Sequence, residues 1–200
     1  PRDMPLDEAI THFNITHISL VPTQLHRLLS NSGGQKALSG LKTILLGGGP
    51  SPDKLIHMAV AEGLHLQTSY GLTETASLIT ATSPDETLDA LLTSGHPLES
   101  NTVCISADGE IEVRGASLFS GYLQDSLLHL PLTPDGWFAT GDMGSFDACG
   151  RLCVFGRKDN RFVTRGENVY PEEIELQLTR IDGVEEAVIV PMPHEAHGMV

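Results

Sequence analysis

The chain contains 200 residues, with 12 lysine and arginine residues against 26 aspartate and glutamate residues, and its formal net charge is −14. This acidic balance disfavours broad electrostatic binding of nucleic acid or anionic lipid, although a local basic site can still hold one phosphate group. An apolar fraction of 40% and a charged fraction of 19% are ordinary for a globular protein. The chain is therefore long enough and apolar enough for one or two domains with a core.

No apolar run approaches the ~18–20 residues that span a bilayer, and the acidic stretch from Arg2 to Glu8 lacks the basic and apolar regions of a signal peptide. We therefore expect a cytoplasmic location, no membrane span and small-molecule partners. The chain begins at Pro1 without an initiator methionine and ends at Val200 in the middle of a pattern. We interpret it as a segment of a longer protein.

The first half alternates helical and strand patterns. The predicted elements are, in chain order, a helix over 5–13, a strand over 15–21, a helix that begins at 22, a strand over 41–46, a helix over 52–62 closed by Gly63, and a strand over 64–69. In the second helix we expect Leu25, Leu28 and Leu29 to be buried. Strand, helix, strand at this spacing predicts a parallel sheet of the βαβ type.

After about Ser94 the patterns favour short strands. They are predicted over 103–106 and 110–114 around the turn signal Asp108-Gly109, and over 152–155 and 161–164. A helix over 171–181 and a strand over 187–190 then indicate the start of another α/β unit. We predict an α/β fold with a β-rich portion and a domain boundary at about Asp159. Residues 1–158 then form one domain, α/β over 1–94 and β-rich over 95–158, and residues 159–200 begin a second.

The first candidate site follows the predicted strand over 64–69. Such a loop lies at the carboxyl end of the sheet, where open α/β folds bind ligands. Tyr70 can stack on a base, and the flexible Gly71 follows it. Thr73 can hydrogen-bond a phosphate, and Glu74 can hold a hard cation such as Mg²⁺. A capped turn before a helix explains the same residues equally well, so both interpretations stay open.

Two further candidates come from a glycine run and from isolated charges. The run Gly47-Gly48-Gly49-Pro50 lets the backbone approach another group closely, because no Cβ intervenes; a tight strand-to-helix turn is the alternative. Asp142 can accept two hydrogen bonds from a ribose diol, and Arg157 can add a contact to the same nucleotide. Asp159 can absorb a hinge rotation. For these three residues an ordinary solvated turn is the alternative.

Five segments, taken in order, resemble the signatures of the adenylate-forming superfamily of acyl-CoA synthetases, luciferases and peptide-synthetase adenylation domains. They are residues 70–75, 110–115 with 121–122, 137–142, 156–157 and 166–175. Each match is weak alone, but five in order leave little room for chance. The resemblance covers essentially the whole chain. It implies part of the N-terminal adenylation domain of the acyl-CoA synthetase fold, followed by the beginning of the small, mobile C-terminal α+β domain.

The resemblance implies a ligase that works in two steps with ATP, Mg²⁺ and coenzyme A. A carboxylate attacks the α-phosphate of ATP to give an acyl-adenylate and pyrophosphate, and a thiol, usually of coenzyme A, then displaces AMP. By motif, the adenine pocket would be lined by Gly47, Gly48, Gly49 and Pro50, and Tyr70, beside Gly71, would pack on the base. The catalytic Thr73 would contact a phosphate, and the catalytic Glu74 would ligate Mg²⁺. The ribose would be held by Asp142 and Arg157.

A movement is implied as well. Asp159 would be the hinge about which the small domain turns between the two half-reactions. The loop that contains Gly166, Glu167 and Asn168 would then enter the site for thioester formation.

Within the superfamily, residues 16–29, 70–77 and 166–171 resemble the o-succinylbenzoate–CoA ligases of menaquinone biosynthesis. This acid carries a second carboxylate and an aromatic ring, so its pocket needs hydroxyls or a cation beside apolar walls. Thr73 and Ser77, one helical turn apart, are expected to present hydroxyls on one face. Another aryl or fatty acyl-CoA synthetase, and a non-catalytic module that keeps the fold, remain alternatives.

Two features of the superfamily do not occur in these 200 residues. They are the Ser/Thr/Gly-rich phosphate loop, upstream of the adenine-pocket segment, and the adenylation lysine, downstream of the hinge. The lysines that do not match that lysine's motif are Lys36, Lys42, Lys54 and Lys158. We therefore expect the nucleotide pocket of this segment alone to be half-walled and its turnover to be negligible.

Overall fold

The computed structural model describes residues 4–181, 183–184, 186–194 and 198–199. The chain divides into two compact units, Pro1–His96 and Pro97–Val200. This division does not test the domain boundary predicted at about Asp159, which remains a proposal.

A five-stranded sheet forms the centre of the first unit, in the order β1-β2-β3-β4-β5. Its strands are β1 (His17–Leu20), β2 (Thr43–Leu46), β3 (Leu66–Gly71), β4 (Leu78–Ala81) and β5 (His96–Pro97). Strands β1, β2 and β3 are parallel, with His17 opposite Thr43 and Ile44 opposite Leu66, whereas β4 runs antiparallel to β3. The parallel pairing predicted from the sequence is confirmed.

Helices pack against this sheet and bury most of the apolar side chains of the first unit. Their bounds are α1 (Leu6–His12), α2 (Pro22–Leu29), α3 (Ser32–Ser39), α4 (Asp53–Ala61) and α5 (Leu88–Leu91). Helix α2 starts at Pro22, whose missing N–H costs little in the first turn. Its predicted stripe of Leu25, Leu28 and Leu29 is buried. Gly63 follows α4 in the left-handed conformation, φ +70°, as expected for a helix end.

Helix α3 is not predicted by the sequence pattern, because Gly33 and Gly34 in its first turn lower its helix propensity. The tertiary structure explains Gly34, since a Cβ at this position would overlap the backbone of Leu28 in α2. Asn31 caps the helix, and its side chain accepts a hydrogen bond from the Gly34 N–H (2.7 Å). The close approach of α2 and α3 thus requires a glycine where local propensity argues against one.

The second unit contains a four-stranded antiparallel sheet in the order β11-β10-β7-β6. In chain order the strands are β6 (Asn101–Ile105), β7 (Glu110–Gly115), the separate hairpin of β8 (Tyr122–Gln124) and β9 (Leu127–His129), then β10 (Phe138–Phe146) and β11 (Leu152–Arg157). Strands β6 and β7 form the predicted hairpin around Asp108 and Gly109, where Gly109 has a φ of +88°. The sequence does not predict β10, because Gly141 and Gly144 interrupt its apolar alternation.

The last part of the chain forms helix α6 (Pro171–Leu178) and a small sheet in the order β13-β12-β15-β14. Its strands are β12 (Phe162–Thr164), β13 (Glu167–Val169), β14 (Pro193–His194) and β15 (Gly198–Met199). Helix α6 ends three residues before the predicted end at residue 181. The predicted strand over 187–190 is wrong, because no strand occurs at these described residues. The Ile189 N–H donates instead to the Glu175 carboxylate (2.8 Å), and Val188 is 71% exposed.

The described residues therefore form a mixed α/β fold, in which most helices lie in the first unit and most strands in the second. None of the helices in the described part of the chain has the length and apolar character that crossing a membrane requires.

Gly34→Ala is expected to lower the free energy of unfolding by about 1–3 kcal/mol, because the added methyl group forces α2 and α3 apart. The direction is informative, since replacing a helical glycine with alanine normally stabilises a protein by up to ~1 kcal/mol. Urea unfolding followed by far-ultraviolet circular dichroism measures the change.

Gly40→Ala, at the end of the same helix, is the matched control. A Cβ there would meet its nearest neighbour, the Ala37 carbonyl, at an ordinary 3.6 Å. We expect a change within about 0.5 kcal/mol. A Gly34→Ala protein more stable than the wild type would contradict the close packing of the two helices.

Candidate active site

The loops that follow β2 and β3 lie at the same edge of the first unit's sheet, because these strands are parallel neighbours. The Ser69 hydroxyl on β3 donates a hydrogen bond to the Leu46 carbonyl at the end of β2 (3.1 Å). Gly47 comes next in the chain, and a Cβ there would lie 2.6 Å from Ser69 Oγ. The predicted adenine-pocket segment 47–50 thus begins next to Ser69 on β3, the residue that precedes Tyr70 in the chain.

The segment after β3 forms a tight turn. Gly71 ends the strand, and a Cβ at this position would overlap the backbone of Ser77 and Leu78, so the turn closes only around a glycine. A single 3-10 turn, Thr73–Thr75, follows. Ala76 then takes a left-handed conformation, with a φ of +62°, and the chain enters β4.

The Thr75 side chain holds this turn in place. It is 1% exposed, its hydroxyl accepts a hydrogen bond from the Leu72 N–H (3.2 Å), and it lies 2.8 Å from the Ser77 carbonyl. By contrast, Thr73 is exposed and Glu74 is half-buried. A capped turn is therefore the correct description of Thr75, although a strand and not a helix follows it. The turn presents Thr73 and Glu74 without using the Thr73 hydroxyl to build the cap.

The expectation that Thr73 and Ser77 share one helical face is wrong. The helical turn ends at Thr75, and the left-handed Ala76 changes the chain direction before Ser77, so the geometry of residues four apart on a helix does not apply. Both side chains are exposed. Their role in an acyl pocket stays a prediction that no longer rests on a shared helix.

Glu74 is the predicted magnesium ligand. Within the described chain, no group of three or more histidine, cysteine, aspartate or glutamate side chains is arranged to hold a metal ion. A single carboxylate nevertheless suits Mg²⁺, which keeps several waters and completes its shell with substrate phosphates. The residue types fit a cation that arrives with a nucleotide.

In the second unit, Asp142 on β10 and Arg157 on β11 lie opposite each other. Arg157 Nη1 donates to Asp142 Oδ1 (3.2 Å) and to the Thr140 carbonyl (3.1 Å). The Asp142 side chain is 17% exposed, and that of Arg157 is 48% exposed. The Asp159 carboxylate lies 3.8 Å from Arg157 Nη2. The structure therefore brings these three predicted site residues together.

A β-bulge presents the Asp142 carboxylate. The pairing of β10 with β7 shifts register between Ala139 and Met143, so residues 140–142 lie outside the regular hydrogen-bonded ladder with β7. The Gly141 N–H donates instead to Glu110 Oε1 (2.9 Å), and the Asp142 N–H donates to Thr140 Oγ1 (3.1 Å). Gly141 itself has a φ of +75°, which glycine adopts without strain.

Glu110 and Lys158 adjoin this site, and the sequence patterns do not assign either of them to it. Glu110 is only 8% exposed, and Lys158 Nζ lies 2.5 Å from Glu110 Oε2 and 2.8 Å from Asp108 Oδ2. The hydrogen bond from Lys158 is the main cause that lowers the pKa of Asp108 to about 2, and the two carboxylates raise the pKa of Lys158. Alternation along β7 places Glu110 on the same face as the exposed Arg114, so it predicts a solvated side chain. The only available signal is that Glu110 begins one of the segments that resemble the superfamily.

The predicted thioester-step residues lie at the tip of the hairpin formed by β12 and β13. Arg165 and Gly166 both have positive φ, +51° and +85°, as a two-residue hairpin turn of this kind requires. Gly166, Glu167 and Asn168 are all exposed. Their role in thioester formation remains a prediction.

Sequence comparisons relate the chain to known enzymes. The model of a family described as AMP-binding enzyme matches residues 1–123. The 2-succinylbenzoate–CoA ligase of Salmonella typhimurium is 40% identical over 195 residues, which cover 97% of this chain and 40% of that protein. The chain spans about two fifths of the length of the curated relatives it matches, for example 42% of the ligase of Oceanobacillus iheyensis.

Two solved structures of o-succinylbenzoate CoA synthetase from Bacillus subtilis are similar in fold. The complex with the acyl-adenylate intermediate is 33% identical, with a TM-score of 0.85, and the match covers 96% of this chain and 41% of that chain. The complex with ATP and magnesium ion is 32% identical, with a TM-score of 0.82, and the match covers 95% and 42% of the two chains.

The family model covers more than half of the chain, and it includes the glycine run at residues 47–50 and the turn at residues 70–75. The resemblance indicated by the five sequence segments is thereby confirmed. This chain belongs to the family of AMP-binding enzymes and is similar in sequence and fold to part of the o-succinylbenzoate–CoA ligases.

Proposed function

We propose that this chain is part of an ATP-dependent acid–thiol ligase that forms an acyl-adenylate and then a coenzyme A thioester, with o-succinylbenzoate as the acid. The observation that carries the proposal is the position of the signature turn. Thr73 and Glu74 follow a parallel strand and lie at the sheet edge that also holds Gly47. The choice of acid is supported by the similarity to ligases that are named for it.

Two displacements make up the proposed reaction. A carboxylate oxygen of the acid attacks the α-phosphorus of ATP, the bond to the bridging oxygen breaks, and pyrophosphate leaves. The sulfur of coenzyme A then attacks the acyl carbon, AMP leaves, and the thiol proton passes to solvent. Charge develops on phosphate oxygens, so the protein contributes positioning and electrostatic stabilisation.

The residues of the first unit would serve the base and the phosphates. The backbone of residues 47–50 would line the adenine pocket, and Tyr70 would pack on the base. The exposed Thr73 hydroxyl would donate to a phosphate oxygen. Glu74 would ligate Mg²⁺, and the bound ion would neutralise part of the negative charge of the phosphates.

In the second unit, Asp142 would accept hydrogen bonds from the two ribose hydroxyls. Arg157 already donates to one Asp142 oxygen and to the Thr140 carbonyl, so it orients the carboxylate against the bulge. Because the carboxylate is already held in place, binding a diol costs little additional side-chain entropy.

We also propose Asp159 as a hinge and the hairpin tip at residues 166–168 as the thioester-step element. Asp159 lies in a single 3-10 turn, Lys158–Asn160, which directly follows β11 and precedes β12. Short irregular elements of this kind absorb the φ and ψ changes of a domain rotation. The domain that rotates would begin at about residue 159.

The reaction is tested by pyrophosphate exchange into ATP with the purified full-length protein and three acids: o-succinylbenzoate, benzoate and octanoate. We expect exchange with o-succinylbenzoate to be at least about tenfold faster than with the other acids, since a site built for a second polar group rejects analogues that lack it. Coenzyme A should then convert the adenylate into a thioester. Faster exchange with benzoate or octanoate would identify a different acid, and no exchange with any acid would contradict the ligase.

Asp142→Ala and Asp142→Asn are expected to raise the Kd for ATP by about 10- to 100-fold, because charge-assisted hydrogen bonds to the ribose are lost. The affinity for o-succinylbenzoate should change little. Isothermal titration calorimetry measures both affinities, and the asparagine variant keeps the shape of the side chain in case the alanine variant folds poorly.

Asp135→Ala is the control for this prediction. Asp135 is an exposed carboxylate in the loop before β10, so its removal should leave both affinities unchanged. Equal losses for ATP and for the acid in the Asp142 variants would argue against a ribose contact.

Ser77→Ala is expected to raise the KM for o-succinylbenzoate by roughly five- to tenfold, through the loss of one hydrogen bond to the acid. The KM for benzoate should stay the same if benzoate is accepted at all. Ser83→Ala, an exposed serine beyond the other end of β4, serves as the control. An unchanged KM for o-succinylbenzoate would remove Ser77 from the acyl pocket.

A further inference from the structure

A buried carboxylate connects the bulge in β10 to the turn that follows β11. One oxygen of Glu110 accepts the Gly141 N–H (2.9 Å), and the other lies 2.5 Å from Lys158 Nζ. Glu110 is 8% exposed, so its charge is largely removed from water. A buried charge of this kind is tolerated when it is paired and hydrogen-bonded.

The Gly141 N–H depends on this carboxylate. Residues 140–142 lie between the two stretches of β10 that pair with β7, so Gly141 has no ladder partner on that strand. Gly141 is half-buried, and a backbone N–H that is shielded from water costs free energy when it has no partner. Glu110 supplies this partner in the conformation of the bulge that places Asp142 opposite Arg157.

Lys158 supplies the counter-charge that keeps Glu110 in place. Its second partner, Asp108, lies in the hairpin turn just before β7 and is half exposed, at 55%. Burial therefore makes Glu110, rather than Asp108, the partner that needs the lysine. The pKa of Lys158 is raised by both carboxylates, so the lysine is charged throughout the neutral range.

We infer that Lys158 is a positioning residue for nucleotide binding: through Glu110 it fixes the bulge at Gly141 and hence the Asp142 carboxylate. The nucleotide part of this inference rests on the proposed function. Lys158 has no direct role in the chemistry and does not replace the adenylation lysine. Its neighbour in the chain, Arg157, contacts Asp142 directly, whereas Lys158 acts through Glu110.

Hydrogen–deuterium exchange of the full-length protein tests the hold on the bulge, because it does not depend on activity. In Lys158→Met, the uncompensated Glu110 carboxylate leaves its buried position, and we expect the Gly141 amide to exchange about tenfold faster or more. Mass spectrometry of peptides that cover β10 measures the rate. The Kd for ATP should rise about tenfold, with little change in the Kd for the acid.

Compensating variants separate this role from a general loss of stability. In Lys158→Met combined with Glu110→Gln, the neutral amide oxygen still accepts the Gly141 N–H and needs no counter-charge. We expect the exchange rate of the Gly141 amide and the Kd for ATP to return to within about threefold of the wild-type values. Lys158→Arg, which keeps the positive charge, should also give values within about threefold of the wild type. Glu112→Gln, on the same strand face near Cys104, is the control and should change neither quantity.

The outcomes distinguish the inference from the proposed function. Unchanged exchange at Gly141 in Lys158→Met, or a double variant as unprotected as Lys158→Met, would overturn the inference. Faster exchange with an unchanged Kd for ATP would also overturn it, because the bulge would then not control the ribose site. A wild-type protein that binds no ATP contradicts the proposed function, and the exchange rates still decide whether Lys158 holds the bulge.

Discussion

Backbone groups that leave a hydrogen-bonded ladder need another partner, and both candidate sites are built around this requirement. The Gly141 N–H in the bulge of β10 donates to Glu110, and the Leu72 N–H in the turn after β3 donates to the Thr75 hydroxyl. Both partners are buried side chains, so each irregular segment is held in one conformation. A phosphoryl-transfer site depends on such positioning, because the protein does little covalent work itself.

The net charge of −14 is compatible with the proposed binding of ATP, because charge acts over short distances in salt solution. In the second unit, Arg157 and Lys158 are both engaged by carboxylates, Arg157 by Asp142 and Asp159, and Lys158 by Asp108 and Glu110. These cations organise the site rather than form an open basic surface. The proposed Mg²⁺ and backbone N–H groups would then meet the phosphate charge.

Elements with a clear period were predictable, and the misses have tertiary causes. The buried stripe of α2, the parallel strands of the first unit and the hairpin of β6 and β7 all follow from local pattern. Helix α3 escapes prediction because Gly34 serves the contact with Leu28 rather than helix propensity. The wrongly predicted strand over 187–190 is a run of four apolar residues, which a strand would suit, but the Ile189 N–H donates to Glu175 instead of to a neighbouring strand.

The amino-acid pattern alone identifies the adenylate-forming family and singles out Glu74, Asp142 and Arg157. Motifs are recognised by their residue types and their order in the chain, and neither requires knowledge of the contacts. The folded structure adds contacts between distant residues, which the local periodicity of the sequence does not encode. Lys158 meets Glu110 across 48 positions of sequence, and the other oxygen of the same carboxylate accepts the Gly141 N–H from a bulge in a third segment. Pairings between distant segments are therefore the part of the site that the tertiary structure supplies.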